Sequence, residues 1–252
     1  MADVYGVPRW DGMHETTREP LRLLDLRLRA ALGDHLSSLA VVGSALTDDF
    51  QPGVSDINTV AVVDRCDRAA LDAVAVVVKA LRRQRLSPPL LMTPAYIDRS
   101  HDVFGVEFLD FQLTHEMILG EDPFAVLRMQ KTSVRLQCER ELKAMLVRLR
   151  QGYVASGGRR QVVRDIVIST TKGLAPLARA MLWLKDIERP RTMEATLRQT
   201  AEDFAVDLRA ALAVQRWRQE RRRLTDAEVT ETFASLLETV DRLATRVDEF
   251  EL

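Results

Sequence analysis

Two cysteines in 252 residues, Cys66 and Cys138, stand too far apart for a CxxC pair, which removes both a disulfide framework and a zinc-ribbon reading. Histidine is scarce too, at four residues. His14, His35, His101 and His115 share no metal-ligand spacing, and all lie in the first half of the chain. His101 and His115 read as surface or loop residues. No apolar run approaches the roughly 20 residues needed to span a bilayer, and the opening MADVYGVPRWDG lacks the basic-then-apolar layout of a signal peptide. A soluble, cytoplasmic chain with reduced thiols is the expectation. Aromatics are few at 6%, yet 46% of residues are hydrophobic and 29% charged, the balance of an ordinary globular protein.

What is present is divided unevenly. Residues 1–125 hold 12 Lys/Arg against 19 Asp/Glu, whereas residues 126–252 hold 24 against 18. An acidic half suits divalent cations and a basic half suits phosphates; complementarity between two packed domains explains the split equally well.

Patterning divides the chain in the same place. Leu21, Leu24, Leu28 and Leu32 recur at helical spacing, with Thr16 and Glu19 offering a capping box. Short apolar strands follow at 39–42 and 56–63, then a helix over 68–85. PLLMTPAYI and VFGVEFLDFQ supply two more strand candidates, giving four strands. From about Pro123 the chain turns to long Leu/Ala/Arg/Glu segments, predicting helices over 124–151, 160–186, 192–218 and 225–248, the second bent by Gly173 and Pro176. The expected class is α+β: a small mixed-sheet domain over 1–123, then a helical bundle over 124–252.

The chemistry concentrates in VVGSALTDDFQPGVSDINTVAVV. A strand ending in Gly43-Ser44, an eleven-residue connection, and Asp56-Ile57-Asn58 opening the next strand resemble the signature of the nucleotidyltransferase superfamily. In that signature the last element reads Asp, apolar, Asp/Glu. The helical half is similar in layout to the substrate-side domains of aminoglycoside nucleotidyltransferases. The resemblance implies an NTP substrate held by Gly43 and Ser44, Mg²⁺ on Asp56 and Glu107, and Asp56, Asn58 and Glu107 as the catalytic set. Asp110 competes with Glu107 for the third acid, and Asp48 and Asp49 are further stand-ins. The implied reaction moves a nucleoside monophosphate to a hydroxyl of a small molecule or protein.

Physical reasons support these residue types. Gly43 admits a phosphate close to the backbone, and Ser44 with the amides after it can donate to one. Residues 56 and 58 share one strand face by the period of two. Asn58 departs from the pattern. Two divalent ions about 4 Å apart repel by roughly 16 kcal/mol at an effective dielectric of 20, so bridging negative charge matters, and an amide adds none. The alternative is a catalytically inactive relative that binds a nucleotide or a partner protein, acting as a monomer or a homodimer. Lys172 could reach a triphosphate, although a solvated lysine is the commoner case. The run QRWRQERRR, Arg216 to Arg223 with Trp217 inside it, suggests phosphate contacts and stacking. Nucleic-acid binding is disfavoured all the same, because such runs usually form solvated helix ends. Ribonuclease chemistry is disfavoured too, because the bundle contains no histidine.

Overall fold

A computed structural model describes residues 13–220 and 224–252, with the side chains of 218–220 set aside. The chain separates into two compact units. One holds the chain up to His101 together with Phe108–Arg128, and the other holds Asp102–Glu107 together with Met129–Leu252.

The first unit begins with α1 (Glu15–Leu32), whose leucines at 21, 24, 28 and 32 are buried as their spacing predicts. Its start differs from expectation. The His14 ring caps the helix by accepting from the Thr16 amide, and Glu19 is held at 2.8 Å by Arg22 instead of closing a capping box. Strands β1 (Leu36–Val42) and β2 (Asn58–Val63) pair antiparallel, with Val42 opposite Asn58. After β2 comes α2, which spans Arg68–Ala80 and is capped by the Asp67 side chain on the Ala70 amide. Leu39, Val41, Ala61 and Val63 share one core with the leucines of α1 and with Val74 and Val77 of α2. Ala40, Val42, Val60 and Val62, on the opposite face, are buried as well. Two-sided burial explains why these strands read as unbroken apolar runs.

The next two strand assignments need correction. In PLLMTPAYI only β3 (Leu90–Met92) is strand, and α3 (Pro94–Ser100) takes the rest. Thr93 caps α3 through the Tyr96 amide, and Pro94 sits in the first turn, where its missing N–H costs nothing. VFGVEFLDFQ is not a strand. It forms α4 (Gly105–Leu113), burying the pairs 105–106 and 108–109, a helical spacing rather than an alternation. The fourth strand is β4 (His115–Leu119), antiparallel to β1, and the sheet order is β3-β2-β1-β4, with β3 parallel to β2.

The second unit contains α5 (Lys131–Ser156), α6 (Arg160–Leu184), α7 (Met193–Asp203), α8 (Arg209–Glu220) and α9 (Asp226–Asp248). Helices α5, α6 and α9 pack on one another. The face of α9 is a regular series, Val229, Phe233, Leu236, Val240, Leu243 and Val247, and Thr225 with Glu228 closes a capping box at its start. Helix α6 is assigned as one helix through Gly173 and Pro176, whose neighbours Leu174, Leu177 and Ala178 are buried. Two expected boundaries move. Helix α5 begins at Lys131, seven residues late, because Phe124 is fully buried in a turn whose amide donates to Asp122. The single helix expected over 192–218 breaks at Ala205, where φ is +51°, and α8 restarts with Asp207 accepting from the Arg209 amide. Among the described residues no helix is long and apolar enough to cross a membrane.

Candidate functional site

β1 ends at Val42, and Gly43, with φ +78°, turns the chain into a short 3-10 segment, Gly43–Leu46. Ser44 is half-buried; its carbonyl accepts from the Thr47 amide at 3.1 Å and hydroxyl at 3.0 Å. The Ser44 hydroxyl itself has no partner among the described residues. Gln51 and Ser55 then close the connecting loop, with the Gln51 amide donating to the Ser55 hydroxyl at 3.1 Å. The chain emerges at Asp56.

Ile57 is buried, whereas Asp56 and Asn58 are exposed, as strand alternation requires. Asn58 reaches back over the glycine turn: a Cβ placed on Gly43 would stand 3.5 Å from the Asn58 amide nitrogen. Asp56 is met by an arginine. The Arg85 guanidinium donates through Nη1 to Asp56 Oδ1 at 3.2 Å and to the Val54 carbonyl at 3.1 Å. This pair is roughly half-exposed, so its contribution to stability is about 0–1 kcal/mol; its importance lies in the charge it cancels.

Glu107 does not lie on a neighbouring strand. It occupies the first turn of α4, in the portion of that helix grouped with the second unit. There its Oε2 accepts from the Gln137 amide at 2.6 Å, while the buried Gln137 Oε1 accepts from the Val106 N–H at 2.8 Å. Gln137 thereby satisfies one of the open N–H groups at the start of α4 and fixes the carboxylate beside it. Asp110 lies on the same helix, half-buried, and Asp48 and Asp49 lie in the loop after Ser44. Among the described residues no group of three or more His, Cys, Asp or Glu is arranged to hold a metal ion.

The residue that sequence reasoning passed over is His115. It opens β4 directly opposite Val42, in the row that continues to Asn58, and is not a loop residue. Its Nδ1 lies 2.8 Å from the Phe111 carbonyl and its Nε2 3.0 Å from Asp122, with Phe124 packed edge-on against the ring. Only the pairing register could have found it. His101 turns its Nδ1 to the Asp98 carbonyl, and Lys172 is an exposed residue of α6. Trp217 is buried at 9% exposure, so the stacking surface imagined for the basic run is absent at that position. The side chains from 218 to 223 lie outside the described residues.

The cysteines differ sharply. Cys66 is exposed, whereas burial, with Glu107 and Glu141 nearby, pushes the Cys138 thiol up to about 12. One thiol per chain is therefore expected to react promptly with a disulfide reagent in native buffer at pH 8, and the second only after denaturant is added. Two prompt equivalents would contradict the burial of Cys138.

A pair of divalent ions does not fit these residues. One carboxylate, one amide and one guanidinium carry no net negative charge, whereas two Mg²⁺ ions need bridging anions. The backbone, by contrast, matches a known architecture. A spectinomycin adenyltransferase, AAD(9), from Enterococcus faecialis, solved with ATP and spectinomycin, superimposes with a TM-score of 0.60 over 92% of this chain and 99% of that one. The chain shares the fold of that enzyme. At 11% identity the likeness to that enzyme is one of fold alone. No protein-family model matches the chain, and no curated protein matches it in sequence. Within this fold, the Gly43–Ser44 turn and the Asp56-Ile57-Asn58 segment are neighbours, because β1 and β2 pair with Val42 opposite Asn58.

Proposed function

We propose that this chain is a nucleotidyltransferase-like protein that binds a nucleoside triphosphate at the Gly43–Ser44 turn, with metal-dependent transfer weak or lost. The observation carrying this reading is the environment of Asp56, whose carboxylate accepts from the Arg85 guanidinium at 3.2 Å, with an amide, Asn58, two residues on and, among the described residues, no group of three or more His, Cys, Asp or Glu arranged to hold a metal ion. Support for the nucleotide comes from the turn itself: a glycine at positive φ, a serine hydroxyl without a partner among the described residues, and the Asn58 amide nitrogen 3.5 Å from where a Cβ on Gly43 would stand. The fold shared with an ATP-bound adenyltransferase points the same way. Any residual transfer would deliver a nucleoside monophosphate to a hydroxyl-bearing acceptor.

Calorimetric titration with ATP, run beside a pyrophosphate-release assay with hydroxyl acceptors, tests both halves of the reading. Saturable binding is expected, weakened by roughly tenfold in Ser44→Ala, the loss of one hydrogen bond to a charged group. Pyrophosphate release is expected to match that of Asp56→Ala. Failure to bind ATP would leave a fold reused for protein interaction. Release that Asp56→Ala abolishes would restore a working transferase.

A further inference from the structure

Arg85 is held in an uncommon way. Its φ is +54°, a left-handed conformation that residues other than glycine seldom adopt. It is kept there by the strand motif itself: the Ile57 amide donates to the Arg85 carbonyl at 2.8 Å, Leu86 bridges to Ile57, and the Ser87 amide donates back to the Ile57 carbonyl at 3.0 Å. The segment after α2 is thus bonded to the middle residue of Asp56-Ile57-Asn58. Rare backbone geometry beside a candidate site is a reason to ask what the side chain does.

The side chain places positive charge on Asp56. Nη1 spans the Asp56 carboxylate and the Val54 carbonyl, both oxygen acceptors of the kind that would bind a hard cation. A guanidinium has five N–H donors, and among the described residues only those on Nη1 are engaged. The remainder project from a side chain that is 49% exposed, as a fork suited to phosphate oxygens. Charge reinforces the point. Asp56, Asn58 and Arg85 sum to zero, so these three side chains present no net negative charge for a metal to neutralise. Asn58 contributes N–H donors where a second carboxylate would repel the phosphate.

We infer that Arg85 stands in place of a divalent cation at Asp56, so that the site takes the phosphates of a nucleoside triphosphate without magnesium. The inference rests on the nucleotide-binding reading above and adds the residue and the metal independence. Arg85 is here a binding residue for polyphosphate.

The test is calorimetric titration of the 252-residue chain with ATP, in excess EDTA and in excess Mg²⁺. The proteins compared are the natural chain, Arg85→Gln and Asp56→Asn, each first checked for a native circular dichroism spectrum. The natural chain is expected to bind in EDTA within about threefold of its affinity in Mg²⁺, and Arg85→Gln to bind at least about tenfold more weakly in EDTA. Asp56→Asn, which frees the guanidinium, is expected to bind as well or better. Binding that requires Mg²⁺, disappears in Asp56→Asn and persists in Arg85→Gln would overturn the inference while leaving the nucleotide reading intact. Absence of binding in every form would overturn both.

Discussion

Gly120→Ala is expected to be among the most damaging single-methyl additions to this chain, lowering unfolding free energy by roughly 3–4 kcal/mol. Gly120 follows β4 and adopts φ +75°, where any β-carbon is strained. The larger problem is space. An added Cβ would stand 2.1 Å from the Ser37 carbonyl oxygen and 2.9 Å from the Ser38 Cβ. Neither neighbour is the free end of a flexible chain, because Ser37 and Ser38 belong to β1, the strand paired on both sides. Relief must therefore come from moving β1 or breaking its pairing with β4. Gly53→Ala supplies the control, since Gly53 has φ +74° and nothing within 4 Å of an added Cβ. That variant keeps only the conformational penalty, about 1 kcal/mol. Urea unfolding followed by circular dichroism separates the two, and equal costs would show that the close approach at Gly120 is not maintained in solution.

The second large effect concerns the metal. In the double variant Asn58→Asp with Arg85→Gln, the local charge changes from zero to minus two, and the affinity for Mg²⁺ is expected to rise by about tenfold or more. One added carboxylate about 4 Å from a divalent ion attracts it by on the order of 8 kcal/mol at an effective dielectric of 20. Dehydration of the ion cancels most of that gross attraction, leaving a net gain of roughly 1–2 kcal/mol. Asn58→Asp alone is expected to gain less, because the guanidinium still competes for Asp56. Manganese binding followed by electron paramagnetic resonance reads the change directly. An affinity unmoved in the double variant would remove position 58 from any metal platform.

The elements that were legible in the sequence are those whose apolar positions face one core. Helix α1 announced itself through four leucines at helical spacing, α9 through a long Leu/Ala/Arg/Glu segment whose apolar positions the structure buries, and β1 and β2 through apolar runs buried on both faces. The Gly43-Ser44 turn and the Asp56 parity were equally legible, because turn geometry and strand alternation are local properties. Segments around α3 and α4 misled for a physical reason. Short apolar stretches rich in Val, Phe and Leu satisfy helix and strand patterns alike, and only the neighbours they meet decide between them. Glu107 followed its segment, and its closest polar partner became Gln137, thirty residues away.

Sequence alone therefore determined the class, a small mixed sheet followed by helices, together with the loop and strand start that present Gly43, Ser44, Asp56 and Asn58. The replacement of a carboxylate by Asn58 was visible there too. Tertiary structure decided what stands against that motif. Arg85 lies 29 residues beyond Asp56, and His115 meets the same strand row from β4, through pairings that no local spacing encodes. Backbone conformation follows from neighbours along the chain, whereas the charge a carboxylate experiences is set by groups the fold brings within a few ångströms.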